Sequence, residues 1–204
     1  MATTAAVPGL RSDTLRNRKL IIRSAGKLFA EGHQATMADI ARAAEVSTAT
    51  AYRHFASVDE VLARFRFEVG SELLEFSQQQ QATGLELLRL VSTKWVTLVV
   101  THGRAMVHTR SGEGYLARLR TGATHLTVQA DALSAALRDT CLELGVDDPG
   151  DEAMFLWNVL FDPREIFDLI ETLGLGPDET ARRLAATLVG ALKGWCGPIG
   201  GPRQ

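Results

Sequence analysis

The sequence predicts an all-α protein. Apolar residues recur at spacings of three and four from one end of the chain to the other, as they do on the buried face of a helix. No segment alternates apolar and polar residues between turn signals, so no sheet is expected. The chain has 204 residues, 46% hydrophobic and 23% charged, which is a globular composition and excludes a disordered or collagen-like protein.

Charge is unevenly distributed along the chain. Residues 11–66 carry ten Lys and Arg against six Asp and Glu, whereas the remainder carries twelve against eighteen. A basic segment joined to an acidic one suggests a nucleic-acid-binding region, although a plain solvated surface is the alternative. No apolar run reaches the roughly 18 residues of a membrane helix. The start, MATTAAVPGL, lacks the features of a secretory signal, so we expect a cytoplasmic protein without a membrane partner.

The first helix is predicted from about Asp13 to Glu31, after a flexible arm of residues 1–12. Gly32 supplies its stop. One face of this helix is apolar and consists of Ile21, Ile22, Ala25, Leu28 and Phe29.

Two short helices separated by a tight turn follow. Thr36 and Asp39 have the spacing of a capping box for a helix through Ile40 to Ala44, and Ser47 can cap a third helix through Phe55. The turn lies at residues 45 and 46. These dimensions are typical of a helix-turn-helix, although an ordinary helical hairpin has them too. The exposed side of the third helix offers hydroxyl, phenol and cationic groups for bases and phosphates, from Thr48, Thr50, Tyr52, Arg53 and His54.

A fourth, longer helix is predicted over residues 58–80. Ser57 and Glu60 form an S-x-x-E box at its start. Its apolar stripe comprises Val58, Val61, Leu62, Phe65, Val69, Leu73 and Phe76.

Residues 18–62, RKLIIRSAGKLFAEGHQATMADIARAAEVSTATAYRHFASVDEVL, resemble the N-terminal domain of TetR-type transcriptional regulators (the TetR/AcrR family). The resemblance rests on the LFAEGHQATMADIA passage, the AEVS turn, and AYRHFAS before DEVL. It implies a helix-turn-helix DNA-binding domain of three helices, residues 13–57. A long fourth helix, 58–80, joins that domain to a helical-bundle ligand-binding and dimerisation domain that fills the rest of 58–204.

The resemblance also implies roles for single residues. Thr36 caps the second helix against a phosphate, Ser47 to Thr50 enter the major groove, and Tyr52 and His54 hold the DNA backbone. The predicted DNA contacts are therefore Thr36, Ser47, Thr48, Ala49, Thr50, Tyr52, Arg53 and His54.

Two positions depart from the family pattern. Glu45 stands where the family usually has a turn glycine, and a left-handed conformation there costs a non-glycine residue roughly 1 kcal/mol. Val58 stands where the family often has a lysine that faces phosphate. Arg11, Arg16 and Arg18 are candidates to replace that contact from the N-terminal arm.

Beyond Gln81, helices are predicted near residues 84–102, 104–110, 113–120, 123–145, 149–173 and 178–195. Gly145 and Gly174 supply stops, Pro149 and Pro177 supply starts, and Pro163 should kink or divide its helix at Asp162. The last two helices carry more apolar surface than one small bundle needs, which predicts a homodimer through them; an intramolecular core is the alternative. That surface comprises Met154, Phe155, Ile166, Phe167, Ile170, Leu184, Leu188, Leu192 and Trp195.

Catalytic motifs are absent from the sequence. It has no G-x-S-x-G elbow, no phosphate-binding glycine loop and no H-E-x-x-H pair, so we expect no enzyme, cofactor or metal. A small-molecule effector is the remaining kind of ligand that the C-terminal domain could bind. Polar-tipped or polarizable side chains suit a largely apolar pocket in the C-terminal domain, although each is also a common core residue. The candidates are Trp95, His102, Met106, Tyr115 and Trp157, with His108 and His125 beside them.

Together these features predict a homodimeric, ligand-responsive repressor that binds a palindromic double-stranded DNA operator. The alternative is a helical small-molecule-binding protein whose DNA-binding domain is vestigial.

Overall fold

The computed structural model describes the backbone of residues 8–108, 112–147 and 150–196, and the side chains of these ranges from residue 13 onward. Within them the structure is helical and contains no strand, as predicted. None of the described helices is both long enough and apolar enough to cross a membrane. The helices are α1 (Pro8–Ala30), α2 (Met37–Ala43), α3 (Thr48–His54), α4 (Val58–Gln78), α5 (Gly84–Met106), α6 (Tyr115–Arg120), α7 (Thr124–Leu144), α8 (Asp151–Leu160), α9 (Pro163–Phe167), which a π-helical turn (Asp168–Thr172) continues, and α10 (Pro177–Cys196).

The described residues form two compact units. The first contains those up to Phe65 together with residues 104–108, and the second contains residues 66–103 and those after 110. Helix α4 therefore contributes residues to both units.

The first unit has a small apolar core. The face of α1 predicted from the sequence supplies Ile21, Ile22 and Phe29, and α4 supplies Val61 and Leu62. Helix α1 begins at Pro8 instead of Asp13, because proline is well tolerated in a first helical turn. The remainder of the predicted arm, residues 1–7, lies outside the described residues. The other buried members of this core are Ala25, Met37, Ile40, Ala41, Ala44, Ala51, Phe55 and Ala105.

The second unit confirms most of the predicted helix ends. Gly145 and Gly174 have φ angles of 65° and 70° and end helices, and α10 begins at Pro177. Pro163 divides its helix as predicted: α8 ends at Leu160, and α9 begins at Pro163 with Asp162 as its cap. The predicted start at Pro149 lies outside the described residues.

The prediction of a separate helix over residues 104–110 is wrong. Helix α5 continues through Gly103 to Met106. A Cβ atom at Gly103 would lie 3.0 Å from the ring of Phe167, so this glycine permits close packing inside a continuous helix. The sequence pattern had suggested a break there because glycine usually weakens a helix.

The apolar stripe of α10 is not the dimer interface that its pattern suggested. Leu184, Leu188 and Leu192 are buried within the single chain, with Leu188 and Leu192 fully inaccessible, and Ile166 is likewise inaccessible. These residues are intramolecular core, the alternative left open by the sequence. The exposed apolar residues of this region are Val159, Leu173 and Trp195.

Candidate nucleic-acid interface

Helix α2 begins with the capping box that the sequence predicts. The Thr36 hydroxyl accepts a hydrogen bond from the Asp39 backbone N–H at 3.3 Å, while the Asp39 carboxylate accepts from the Thr36 N–H at 3.0 Å and from the Thr36 hydroxyl at 2.6 Å. These bonds from Thr36, with a smaller contribution from Arg42, hold the pKa of Asp39 below its usual range. Both donors of Thr36 are therefore engaged by Asp39, and a phosphate contact requires the hydroxyl to leave that carboxylate.

The turn between α2 and α3 is a Schellman motif with glutamate at the position that glycine usually occupies. The Val46 N–H donates to the Ala41 carbonyl at 3.0 Å, and the Glu45 N–H donates to the Arg42 carbonyl at 3.1 Å. Glu45 has φ 55° and is the sole non-glycine residue with a positive φ in the described ranges. The left-handed conformation inferred from the family pattern is thus present.

Helix α3 is anchored on one side and open on the other. Ala51 and Phe55 are buried, and the guanidinium carbon of Arg18 lies 5.0 Å from the centre of the Phe55 ring. At its start, the Ser47 hydroxyl accepts from the Thr50 N–H at 3.0 Å and lies 2.8 Å from the Thr50 hydroxyl. These bonds orient the two hydroxyls at the first turn of the helix.

The predicted DNA contacts lie mostly on the open side of this segment. Thr50 and His54 are half-buried, and Tyr52 is a large aromatic side chain with 56% of its surface exposed. An aromatic group with a polar tip left in solvent is typical of a contact surface. The exposed candidates are Thr36, Ser47, Thr48, Ala49, Tyr52 and Arg53.

The basic residues proposed for the N-terminal arm lie in helix α1. Arg16 is exposed, whereas Arg18 is half-buried over Phe55 and so stabilises the domain. The side chain of Arg11 lies outside the described residues.

The ligand candidates of the second unit are only partly brought together. The Trp95 indole N–H donates to the Phe161 carbonyl at 2.9 Å. This bond satisfies a carbonyl group at the end of α8, where the helix itself offers no donor. Trp157 stacks on the Phe161 ring with 3.8 Å between ring centres and is fully buried. Both tryptophans are therefore core residues, although the Trp157 N–H has no hydrogen-bond partner in the described part of the chain.

The other three candidates are dispersed. Met106 belongs to the first compact unit, at the end of α5, whereas the other four candidates belong to the second. Burial lowers the pKa of half-buried His102. Burial, with a smaller effect from Asp151, raises the pKa of Tyr115 to about 12, and its buried hydroxyl makes no hydrogen bond to any described residue.

The sequence analysis missed a cluster of polar side chains in the second unit. We call it the arginine cluster: Arg66 of α4, Tyr115 and Arg118 of α6, and His125 of α7. The Arg118 Nη2 atom lies 2.9 Å from Nε2 of His125. Burial, followed by the charge of Arg118, lowers the pKa of Arg66 to about 10. The available signal was the position of Arg66, which falls on the apolar stripe of α4 between Leu62 and Val69.

His125 in this cluster is held neutral. Burial, and then the charges of Arg66 and Arg118, lowers its pKa to about 4. Because a guanidinium group only donates hydrogen bonds, Nε2 of His125 must accept the bond from Arg118, and the ring proton lies on Nδ1.

Known proteins support the interpretation of this chain. Residues 21–65 match the model of a family described as bacterial regulatory proteins, tetR family. No curated protein matches the chain.

Two solved structures share the fold. The fatty acid degradation regulator FadR from Bacillus halodurans is 20% identical with a TM-score of 0.62, over 93% of this chain and 99% of that one. A TetR family transcription regulator from Marinobacter aquaeolei VT8 is 17% identical with a TM-score of 0.57, over 89% and 98%. The predicted resemblance is confirmed for residues 21–65, which contain the helix-turn-helix and match the tetR family model, and the chain has the all-α fold of these two structures.

Proposed function

We propose that the protein is a ligand-responsive transcriptional repressor that binds a palindromic operator as a homodimer. The observation that carries the proposal is the two-sided character of α3, whose Ala51 is buried while Thr48, Ala49, Tyr52 and Arg53 are exposed. A helix anchored in this way presents its outer side to the major groove as a rigid body.

The proposed contacts divide by chemistry. Ser47, Thr48, Ala49 and Thr50 read base edges at the start of α3, through hydroxyl groups and a methyl group. Phosphate contacts fix the position of the domain on the duplex without reading sequence, and come from Thr36, Tyr52, Arg53 and His54.

The deciding experiment is selection of bound fragments from the source organism's genomic DNA, followed by titration of the selected operator at several salt concentrations. We expect affinity to fall steeply with salt, because each neutralised phosphate makes the slope of log K against log salt more negative by about 0.9. Flat and weak binding would instead favour the alternative, a helical small-molecule-binding protein with a vestigial DNA-binding domain.

Dimerisation is proposed through the exposed side of α8 and α10. Gly190 and Gly194 of α10 are exposed, and a Cβ atom at either position would meet no other atom within 4 Å, so a second chain has room to approach closely. Two recognition helices related by a two-fold axis should protect half-sites about 34 to 36 Å apart.

Gly190→Arg tests this interface without disturbing the chain's own core. Arginine favours a helix over glycine by roughly 0.5 to 1 kcal/mol, so the monomer should keep its melting temperature while the dimer dissociates. Gly190→Ala is the matched control and should remain dimeric. Sedimentation measures the outcome, and a folded Gly190→Arg variant that stays dimeric would place the interface elsewhere.

A further inference from the structure

A row of basic side chains lies along α1, outside the DNA contacts proposed for α2 and α3. We call it the basic stripe: Arg16, Lys19, Arg23 and Lys27, all of them exposed. Spacings of three, four and four residues keep these side chains on one side of the helix, over a length of roughly 16 Å. The stripe supplies four of the ten Lys and Arg residues that make residues 11–66 basic.

The stripe lies on the side of α1 that faces away from the core of the first unit. The buried side of the helix consists of Ile21, Ile22, Ala25 and Phe29. Because a helix turns by about 100° per residue, the four cations lie nearly opposite these residues. They are therefore open to a partner from outside the chain.

The charges of the stripe are not neutralised within the described part of the chain. None of the four cations forms an ion pair with a described carboxylate. Asp13 is the one acidic residue in the sequence of α1, and Glu31, just after the helix, lies 3.4 Å from His33. Like charges three or four positions apart on a helix repel each other. The chain thus carries this repulsion without supplying the counter-charge.

Basic residues of the second unit are arranged differently. Many of them are bonded to carboxylates, with 2.6 to 3.1 Å between the charged atoms. These pairs include Arg89 with Glu86, Lys94 with Glu72, Arg120 with Asp151, Arg138 with Asp139, Arg164 with Asp162, and both Arg182 and Arg183 with Glu179. Unpaired cations along one helix face therefore distinguish α1 from the helices of the second unit that carry these pairs.

The chemistry of the stripe fits a nucleic acid better than a protein surface. Protein interfaces are rich in aromatic side chains at their centre and poor in lysine, whereas half of this stripe is lysine. Leu15, with 63% of its surface exposed, is the large apolar side chain beside it, and a single one is ordinary surface. A duplex carries one negative charge per roughly 1.7 Å of its axis, so it offers a phosphate to every cation of the stripe.

The N-terminal end of the stripe lies beside α3. Arg18, between Arg16 and Lys19 in the sequence, holds its guanidinium carbon 5.0 Å from the centre of the Phe55 ring at the end of α3. The stripe therefore starts next to the helix that is proposed to enter the major groove, and it extends away from that helix along α1.

We propose that the basic stripe binds the phosphate backbone of duplex DNA outside the bases that α3 reads, independently of base sequence. This inference rests on the proposed DNA-binding function and adds a second contact surface to it. Such a surface holds the protein on any duplex, while α3 selects the operator.

The test uses the full chain and a long duplex of mixed sequence that contains no operator. Fluorescence anisotropy measures the affinity at several salt concentrations. The double variant Lys19→Gln/Arg23→Gln should make the slope of log K against log salt less negative by roughly 1 to 2, because each lost phosphate contact contributes about 0.9. Glutamine is a good helix former, so the variant should fold, and thermal melting verifies this.

The double variant Arg89→Gln/Arg138→Gln is the matched control. It removes the same charge from exposed positions of the second unit and should change the slope by less than about 0.5. Equal changes in the two double variants would mean that only net charge matters, which overturns the stripe as a contact surface. An unchanged slope in folded Lys19→Gln/Arg23→Gln overturns it as well.

Lysine acetylation locates the bound DNA directly. Exposed amino groups react with acetic anhydride, and mass spectrometry measures the extent of reaction at each lysine. The duplex should reduce labelling of Lys19 and Lys27 several-fold, whereas Lys193, exposed on α10, should react equally with and without DNA. Equal labelling of Lys19 and Lys27 in both samples overturns the proposed surface.

The remaining outcomes separate this inference from another partner and from the proposed function. If the stripe binds an acidic surface of a second copy instead, sedimentation without DNA at low salt will show larger assemblies of the wild type that Lys19→Gln/Arg23→Gln abolishes. That result overturns DNA as the occupant. Selective operator binding without protection of the stripe overturns this inference alone. Protection of the stripe by every duplex, with no operator preferred, overturns the proposed repressor alone.

Discussion

Around α2 and α3 of the first unit, polar side chains bond to residues three positions away, as Thr36 does with Asp39 and Ser47 with Thr50. In the second unit, Arg118 lies 2.9 Å from His125 of another helix, and Arg66 of a third helix acts on both through its charge. The first arrangement leaves an exposed surface that sequence spacing describes. The second places charge in a half-buried site where burial shifts pKa values.

The largest effect is expected from Phe55→Ala, which removes the anchor of α3. Phe55 is fully buried, so truncation should cost on the order of 3 to 5 kcal/mol of the free energy of unfolding of the first unit. Urea denaturation measures the cost, and operator binding should fail only as far as the domain unfolds. A loss below about 1 kcal/mol would contradict the anchoring role.

Tyr52→Ala should have the opposite profile. We expect operator binding to weaken by about 1 to 3 kcal/mol with almost no change in melting temperature, because the side chain is exposed. Tyr52→Phe separates the hydroxyl from the ring. A large fall in melting temperature, or unchanged operator affinity in Tyr52→Ala, would remove Tyr52 from the interface.

Acid should destabilise the second unit through His125. The folded pKa of about 4 lies below the usual value of 6.5, so the unfolded chain binds the proton more readily. The stabilising contribution is complete above pH 6.5 and is lost as the pH falls toward 4. His125→Gln keeps an acceptor for Arg118 and should flatten the melting temperature across this range. Parallel curves for the two proteins would show that His125 does not titrate in this way.

The smallest effect is expected at Glu45. Glycine accepts its φ of 55° without strain but loses more freedom on folding, so Glu45→Gly should stabilise the first unit by roughly 0.5 kcal/mol. Glu45→Ala retains the Cβ atom and should show no such gain. Urea denaturation of the three proteins gives the comparison, and a less stable Glu45→Gly variant would mean that the Glu45 side chain makes a stabilising contribution.

Local features of the first unit were predictable from the sequence. The capping box of Thr36 and the cap at Ser47 involve residues three positions apart, whereas the left-handed turn at Glu45 was expected from the family resemblance. Backbone geometry then determines which side chains can meet, so spacing and residue type were sufficient. The division at Pro163 was predictable for the same reason, because proline lacks the N–H that a helix interior requires.

Contacts between distant residues were decided by the tertiary structure. The sequence showed apolar stripes but not their partners, so the buried Leu188 was expected at a dimer interface and Met106 in the C-terminal domain. Helical periodicity predicts that one face of a helix is buried, but it does not identify the helix or the second chain that buries it. Arg66 and His125 show the same limit, because only the packing of α4, α6 and α7 brings them together with Arg118 and sets their pKa values through burial and neighbouring charge.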